Sequence, residues 1–108
     1  MIQHRPWGTY EVLIDEPTYK VKRIIILPNQ QLSLQYHNHR EEHWTVVSGS
    51  GDIIIGDSKG TASVGSRWII PIQTVHRAKA GDEHLVFIET QLGDCIEDDI
   101  IRLEDQYG

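Results

Sequence analysis

The stretch Leu32-Ser33-Leu34-Gln35-Tyr36-His37-Asn38-His39-Arg40-Glu41-Glu42-His43-Trp44 decides how the rest of the chain is read. Its apolar residues do not recur at helical spacing. Successive side chains of an extended strand alternate between faces, so Leu32, Leu34 and Tyr36 share one side and Gln35, His37 and His39 the other. Polar side chains gathered on one strand face describe either a polar pocket inside a barrel or an exposed face outside one. Alternation alone leaves both open.

On either side of this stretch, short β-rich runs recur with turn residues between them. Residues 10–14 and 19–27 come first, the second stopped by Pro28-Asn29, where the fixed φ of proline sets a turn. Residues 32–37 follow, then 43–47, which end at Ser48-Gly49-Ser50-Gly51. Ile53-Ile54-Ile55 enters a hairpin loop at residues 56–60 that returns through 61–64, and residues 67–70 stop at Pro71. Residues 75–80, 85–90 and 95–103 complete the set, the last reading equally as a strand or as a short helical turn around Glu97-Asp98-Asp99. This spacing predicts an all-β, single-domain jelly-roll barrel over residues 1–108, an architecture that hides most sheet edges.

Composition narrows the function classes. The 108 residues are 39 % apolar and 24 % charged, ordinary for a globular domain, with room for one modest core. A formal net charge of -6 disfavours nucleic acid and anionic membranes as partners, while one or two local cations can still hold a single phosphate. Cys95 is the only cysteine, which excludes an intrachain disulfide and a thiolate cluster. No apolar signal region opens the sequence and no run is long enough to span a bilayer, so a cytoplasmic location is expected.

Of the six histidines, His4 and His84 read as surface residues. His37, His39, His43 and His76 carry more weight, because Glu42 follows the first of them closely and His76 lies in a separate run after Pro71. Imidazole and carboxylate suit Zn, Mn, Fe, Co or Ni, and an amide oxygen adds a fourth contact.

The spacing resembles the paired motifs of cupins, G-x5-H-x-H-x4-E-x6-G and G-x5-P-x-G-x2-H-x3-N. Gln35, His37, Glu42 and Gly49 occupy the first, with Asn29 where its opening glycine belongs. Gly65, Pro71 and His76 occupy the second, with Gln73 in place of its glycine and Ala80 in place of its asparagine. Glutamine in the first histidine position is similar to the variant in type II mannose-6-phosphate isomerases. So are Arg5-Pro6-Trp7-Gly8, Arg40-Glu41-Glu42-His43-Trp44, Ile88-Glu89-Thr90-Gln91 and the closing Glu104-Asp105-Gln106-Tyr107-Gly108.

The resemblance implies that Gln35, His37, Glu42 and His76 hold one divalent metal ion, with zinc expected and Mn, Fe, Co or Ni as alternatives. It implies isomerisation of mannose-6-phosphate to fructose-6-phosphate. That family is usually fused behind a mannose-1-phosphate guanylyltransferase domain, for which 108 residues leave no room, so the isomerase half alone is expected.

A base must move the C2 proton, and Glu89, His39 and His43 are the candidates. Leu85, Phe87, Glu89 and Gln91 share one strand face, where apolar neighbours would raise the pKa of Glu89; a salt bridge across the sheet is the competing reading. Arg40, Arg77 and Lys22 are the candidate phosphate cations, whereas Lys20 and the acidic run 97–99 read as solvated. Trp7, Trp44 and Trp68 read as core or interface residues. Apolar side chains on both sheet faces make a homodimer the expectation. Two other functions compete: a non-catalytic metal-binding cupin that binds a sugar phosphate or nucleotide sugar as a sensor or partner subunit, and a dioxygenase, disfavoured by Gln35.

Overall fold

A computed structural model describes residues 1–96 and 98–107, so Glu97 of the acidic run and the closing Gly108 lie outside the described residues. Within these, strands alternate with short turns in the order β1 (Ile2–Arg5), β2 (Gly8–Asp15), β3 (Tyr19–Ile26), β4 (Leu34–Tyr36), β5 (Arg40–Ser48) and β6 (Gly51–Ile55). They continue with β7 (Ser58–Ala62), β8 (Arg67–Ile70), β9 (His76–Ala80), β10 (Leu85–Gly93) and β11 (Ile101–Glu104). One sheet runs β1-β2-β3-β10-β5-β8 and the other β11-β4-β9-β6-β7, and neighbouring strands are antiparallel. No described helix is long and apolar enough to cross a membrane.

The three central strands of the larger sheet explain where the core ends and the site begins. Inward residues are Lys20, Lys22, Ile24 and Ile26 on β3, Leu85, Phe87, Glu89 and Gln91 on β10, and Arg40, Glu42, Trp44 and Val46 on β5. Antiparallel register sets Ile26 against Leu85, Ile24 against Phe87, Lys22 against Glu89 and Lys20 against Gln91. On the other side of β10, Val46 faces Phe87, Trp44 faces Glu89 and Glu42 faces Gln91. Apolar side chains are therefore stacked at one end of the interior and polar ones at the other.

Leu32, Ile53, Ala62, Ala78 and Ala80 from the smaller sheet and its approaches close the apolar end against Ile24, Ile26, Val46, Ile70, Leu85 and Phe87. Burial of such side chains contributes about 1.5–3 kcal/mol each and drives the sheets together.

Several boundaries differ from the sequence reading. β1 forms where no strand was expected, because residues 2–5 pair along β2 and supply its edge. β5 starts at Arg40, three residues early, which places Glu42 inside a strand rather than in a loop. The run 32–37 shortens to β4, with His37 beyond its end, and of the described residues in 95–103 only 101–103 fall in a strand, within β11 on β4. Lys20 is buried with its ammonium 3.7 Å from Asp15, not solvated on an outer face as expected, because alternation puts it on the Ile24 and Ile26 side.

The turns follow their residues. Gly49 has φ +81°, and a Cβ there would stand 1.7 Å from the His84 carbonyl oxygen, so only glycine fits. Asn29 and Gln73, the two residues in place of motif glycines, take φ 62° and 61°.

Candidate functional site

The polar end opens into a cavity of about 500 Å³ whose walls include Glu42 and Glu89 from the larger sheet and Gln35 from β4. On Glu42, one of its lining residues, His37 and His76 converge, the three offering ligand-capable atoms all within 4.8 Å of one another. All three are almost completely buried. Each arrives from a different element: His37 from the loop after β4, Glu42 from β5 and His76 from the start of β9.

Each imidazole is held by its Nδ1. His37 Nδ1 lies 2.7 Å from the Asp99 carbonyl oxygen and His76 Nδ1 lies 2.8 Å from that of Thr74. A carbonyl oxygen can only accept, so in the neutral rings the proton sits on Nδ1 and the Nε2 lone pair turns inward. The two Nε2 atoms stand 3.2 Å from Glu42 Oε2 and 3.4 Å from Glu42 Oε1. Donors bound at about 2.0–2.1 Å around one tetrahedral ion lie ~3.3 Å apart, so this spacing is that of a coordination shell. His76 Nε2 is buried with no hydrogen-bond partner among the described residues, an orphan that an ion would satisfy. The donor set therefore fits a divalent metal.

Gln35 stands beside His76 across the β4–β9 pairing and faces the cavity, its Oε1 accepting the Ser33 hydroxyl at 2.9 Å. Arg40 braces the cluster: its Nε donates to Glu42 Oε2 at 3.0 Å and its Nη2 lies 3.4 Å from His37 Nε2. Burial pushes the Glu42 carboxyl up, but the His37 and His76 imidazoles beside it more than offset this and hold it well below the usual range. Burial pushes His76 down, and the Glu42 carboxylate beside it reverses this, leaving it raised.

Glu89 is the second carboxylate. Its Oε1 accepts the Trp44 indole N–H at 3.0 Å and its Oε2 accepts the Gln91 amide at 2.9 Å. The same indole N–H reaches Glu42 Oε1 at 3.3 Å, so Trp44 spans the two carboxylates. Burial first, then the neighbouring Glu42 charge, raise Glu89 from 4.5 to about 7. The salt bridge weighed against this reading is not formed: Lys22 pairs with Glu89 in register but no described cation lies within ion-pair distance of its carboxyl.

Three sequence candidates lie elsewhere. His39 is exposed beyond β4, because that strand ends at Tyr36 and no longer carries it inward. His43 lies on the outer face of β5, 2.6 Å from Glu41, one position out of phase with Glu42. Arg77 alternates away from His76; its Nε donates to the Leu32 carbonyl at 2.8 Å and its Nη1 to Glu104 at 3.0 Å, so it ties down β11 rather than facing the cavity. Lys22 and Arg40 do line it.

Arg5, Tyr10 and Arg102, none of them a site candidate in the sequence, also line the cavity. Asp99 is also buried, its carboxylate accepting the backbone N–H of Asn38 and of His39, both at 2.8 Å. Burial pushes that carboxyl up and the two N–H bonds bring it below its ordinary value. Trp44 alternating with Glu42 on β5 was the one available signal for its bridging role.

Two packed antiparallel sheets enclosing a buried His–Glu–His cluster at one end define a cupin. The same double-layered fold occurs in the cupin-2 domain protein Rru_A2000 of Rhodospirillum rubrum, with a TM-score of 0.79 and 20 % identity over 90 % of this chain and 66 % of that one. The chain belongs to the family described as mannose-6-phosphate isomerase, C-terminal, which it matches over residues 1–105.

Curated relatives include the xanthan biosynthesis protein XanB of Xanthomonas campestris pv. campestris (strain B100), 43 % identical over 107 residues, 97 % of this chain and 23 % of XanB. A mannose-1-phosphate guanylyltransferase of Escherichia coli is 37 % identical over 97 % of this chain and 23 % of its own length. The chain thus spans less than a quarter of these relatives.

Proposed function

We propose that this chain is a metal-dependent aldose–ketose isomerase interconverting mannose-6-phosphate and fructose-6-phosphate. The observation that carries this reading is the convergence of His37 and His76 on Glu42, which lines the same cavity as Glu89. The family description supports the choice of sugar.

His37, Glu42 and His76 would hold the ion, with the Gln35 amide oxygen as fourth donor once released from Ser33. Zinc suits the donors, as do Mn, Fe, Co and Ni. When bound, a divalent ion supplies Lewis-acid polarisation of the sugar carbonyl.

The protein does the rest. Glu89 takes the proton from C2 of the open-chain aldose and returns it to C1, while the O2 hydroxyl proton passes to O1, giving the ketose with no net gain or loss of atoms. A carboxyl near 7 is matched to both halves of that transfer. Trp44 and Gln91 hold its two oxygens so that the base does not swing away between the steps. Arg40 holds the Glu42 carboxylate in place.

The test is turnover by protein reconstituted with Zn, Mn, Co or Ni, following fructose-6-phosphate formation. Isomerisation with at least one metal supports the proposal. Tight metal binding with no turnover on any of them would leave a non-catalytic binder of sugar phosphates instead.

A further inference from the structure

Resting on that isomerase reading, we infer that Arg5 and Lys22, gathered on the ring of Tyr10, form the seat for the substrate's phosphate, displacing Arg40 and Arg77 from that role. Both cations and the ring line the same cavity as Glu89. The Arg5 guanidinium carbon lies 5.1 Å from the Tyr10 ring centroid and the Lys22 ammonium 4.7 Å from it. Two like charges drawn to one aromatic face each other's repulsion unless an anion joins them.

Among the described residues no carboxylate lies within ion-pair distance of Arg5 or Lys22, although Lys22 is only 9 % exposed. Arg5 donates to the His4 carbonyl at 2.9 Å and to the Tyr10 hydroxyl at 3.1 Å, which leaves other guanidinium N–H groups uncommitted. The Tyr10 hydroxyl, accepting from Arg5, keeps its own proton to donate. Arg40 and Arg77, by contrast, are spent on Glu42 and Glu104.

The spacing suits a hexose phosphate. Lys22 is the direct neighbour of Glu89 across β3 and β10, and Tyr10 sits on β2, the next strand out. With strands ~4.8 Å apart, that places the Tyr10 strand about 10 Å from the Glu89 strand. In an extended open-chain hexose 6-phosphate, six bonds of roughly 1.5 Å separate C2 from phosphorus, a span of ~7–8 Å. With C2 at Glu89, the phosphate reaches past Lys22 towards Arg5. The ligand class is a phosphate monoester at the far end of a linear polyol chain.

The experiment is calorimetric titration of metal-loaded protein with mannose-6-phosphate, inorganic phosphate and mannose, using wild type, Arg5→Gln, Lys22→Gln, Tyr10→Phe and Arg102→Gln, with metal content measured on each. Loss of one charge-assisted contact should weaken mannose-6-phosphate and inorganic phosphate about 10- to 100-fold in Arg5→Gln and Lys22→Gln, and less in Tyr10→Phe. Mannose affinity and metal content should not change, and Arg5→Lys should recover part of the loss.

Unchanged mannose-6-phosphate affinity in both variants, or loss confined to Arg102→Gln, overturns the inference. If the wild type isomerises and the Arg5 and Lys22 variants keep its KM, the phosphate seat fails while the activity stands. If no metal supports turnover but phosphate binding is lost in those variants, the seat stands and the activity fails.

Discussion

Gln73 and Asn29 show how one backbone angle links a motif to its fold. Both hold left-handed φ, 61° and 62°, at places where the cupin motifs carry glycine. A side chain in that region costs roughly 1–2 kcal/mol, and glycine's greater freedom when unfolded returns about half of any gain. Gln73→Gly should thus be neutral or slightly stabilising, whereas Gln73→Val should cost about 1–3 kcal/mol, read from urea midpoints. Equal midpoints for the two variants would show that the turn tolerates β-branched residues.

Glu89 permits a second test at the same scale. Its pKa is raised from 4.5 to about 7, so the folded chain keeps a proton that the unfolded chain releases, and stability falls as pH rises through that window. In metal-free protein, Glu89→Gln removes this penalty. The substitution should raise Tm by several degrees more at pH 8 than at pH 5. A shift independent of pH would mean the carboxyl is not perturbed.

At the scale of elements, the His37–Glu42–His76 cluster was legible because cupin spacing ties residues 37 and 42 to a histidine on another strand. β3 was half legible: alternation joins Lys20 and Lys22 to Ile24 and Ile26, but isoleucine on both faces hid which side was the interior. His43 was misread because the sequence alone did not show that β5 begins at Arg40, which fixes the phase of its faces.

The C-terminal segment was the least legible, since its contribution is a backbone carbonyl. It accepts His37 Nδ1–H through the Asp99 carbonyl, and lines up β11 on β4 with Arg102 opposite Gln35. Asp99 also fixes the loop after β4 through the N–H groups of Asn38 and His39. Loosening such support of a ligand histidine costs about 10- to 100-fold in metal affinity. Asp99→Ala should show that loss in a chelator-competition titration with zinc, and Asp99→Asn, which retains one acceptor, a smaller one. Wild-type affinity in Asp99→Ala would make the segment a cover without influence on His37.

At the scale of the whole molecule, the interior is divided along its strands into an apolar end that folds the chain and a polar end that burial makes expensive. Three inward cations on the larger sheet, Lys20, Lys22 and Arg40, and two carboxylates, Glu42 and Glu89, share the polar end. Metal binding should therefore feed directly into stability. An ion at 100 times its Kd adds about 2.7 kcal/mol, which for a chain of this size raises Tm by roughly 10–20 °C. EDTA should reverse that rise, and His37→Ala or His76→Ala should abolish it; a metal-induced rise that survives both substitutions would place the ion elsewhere.

The most direct measurement is proton exchange during isomerisation. Metal-loaded protein is incubated with mannose-6-phosphate in deuterated water, and fructose-6-phosphate and its C1 deuterium are followed by NMR in wild type and Glu89→Gln at equal metal content. The account predicts fructose-6-phosphate from wild type, its C1 deuterium measuring how far the Glu89 proton exchanges with solvent between the two transfers, and a rate lower by about 10²–10⁴-fold in Glu89→Gln with the metal retained. A metal-loaded wild type that forms no fructose-6-phosphate, or a Glu89→Gln variant that forms it at the wild-type rate, would contradict it.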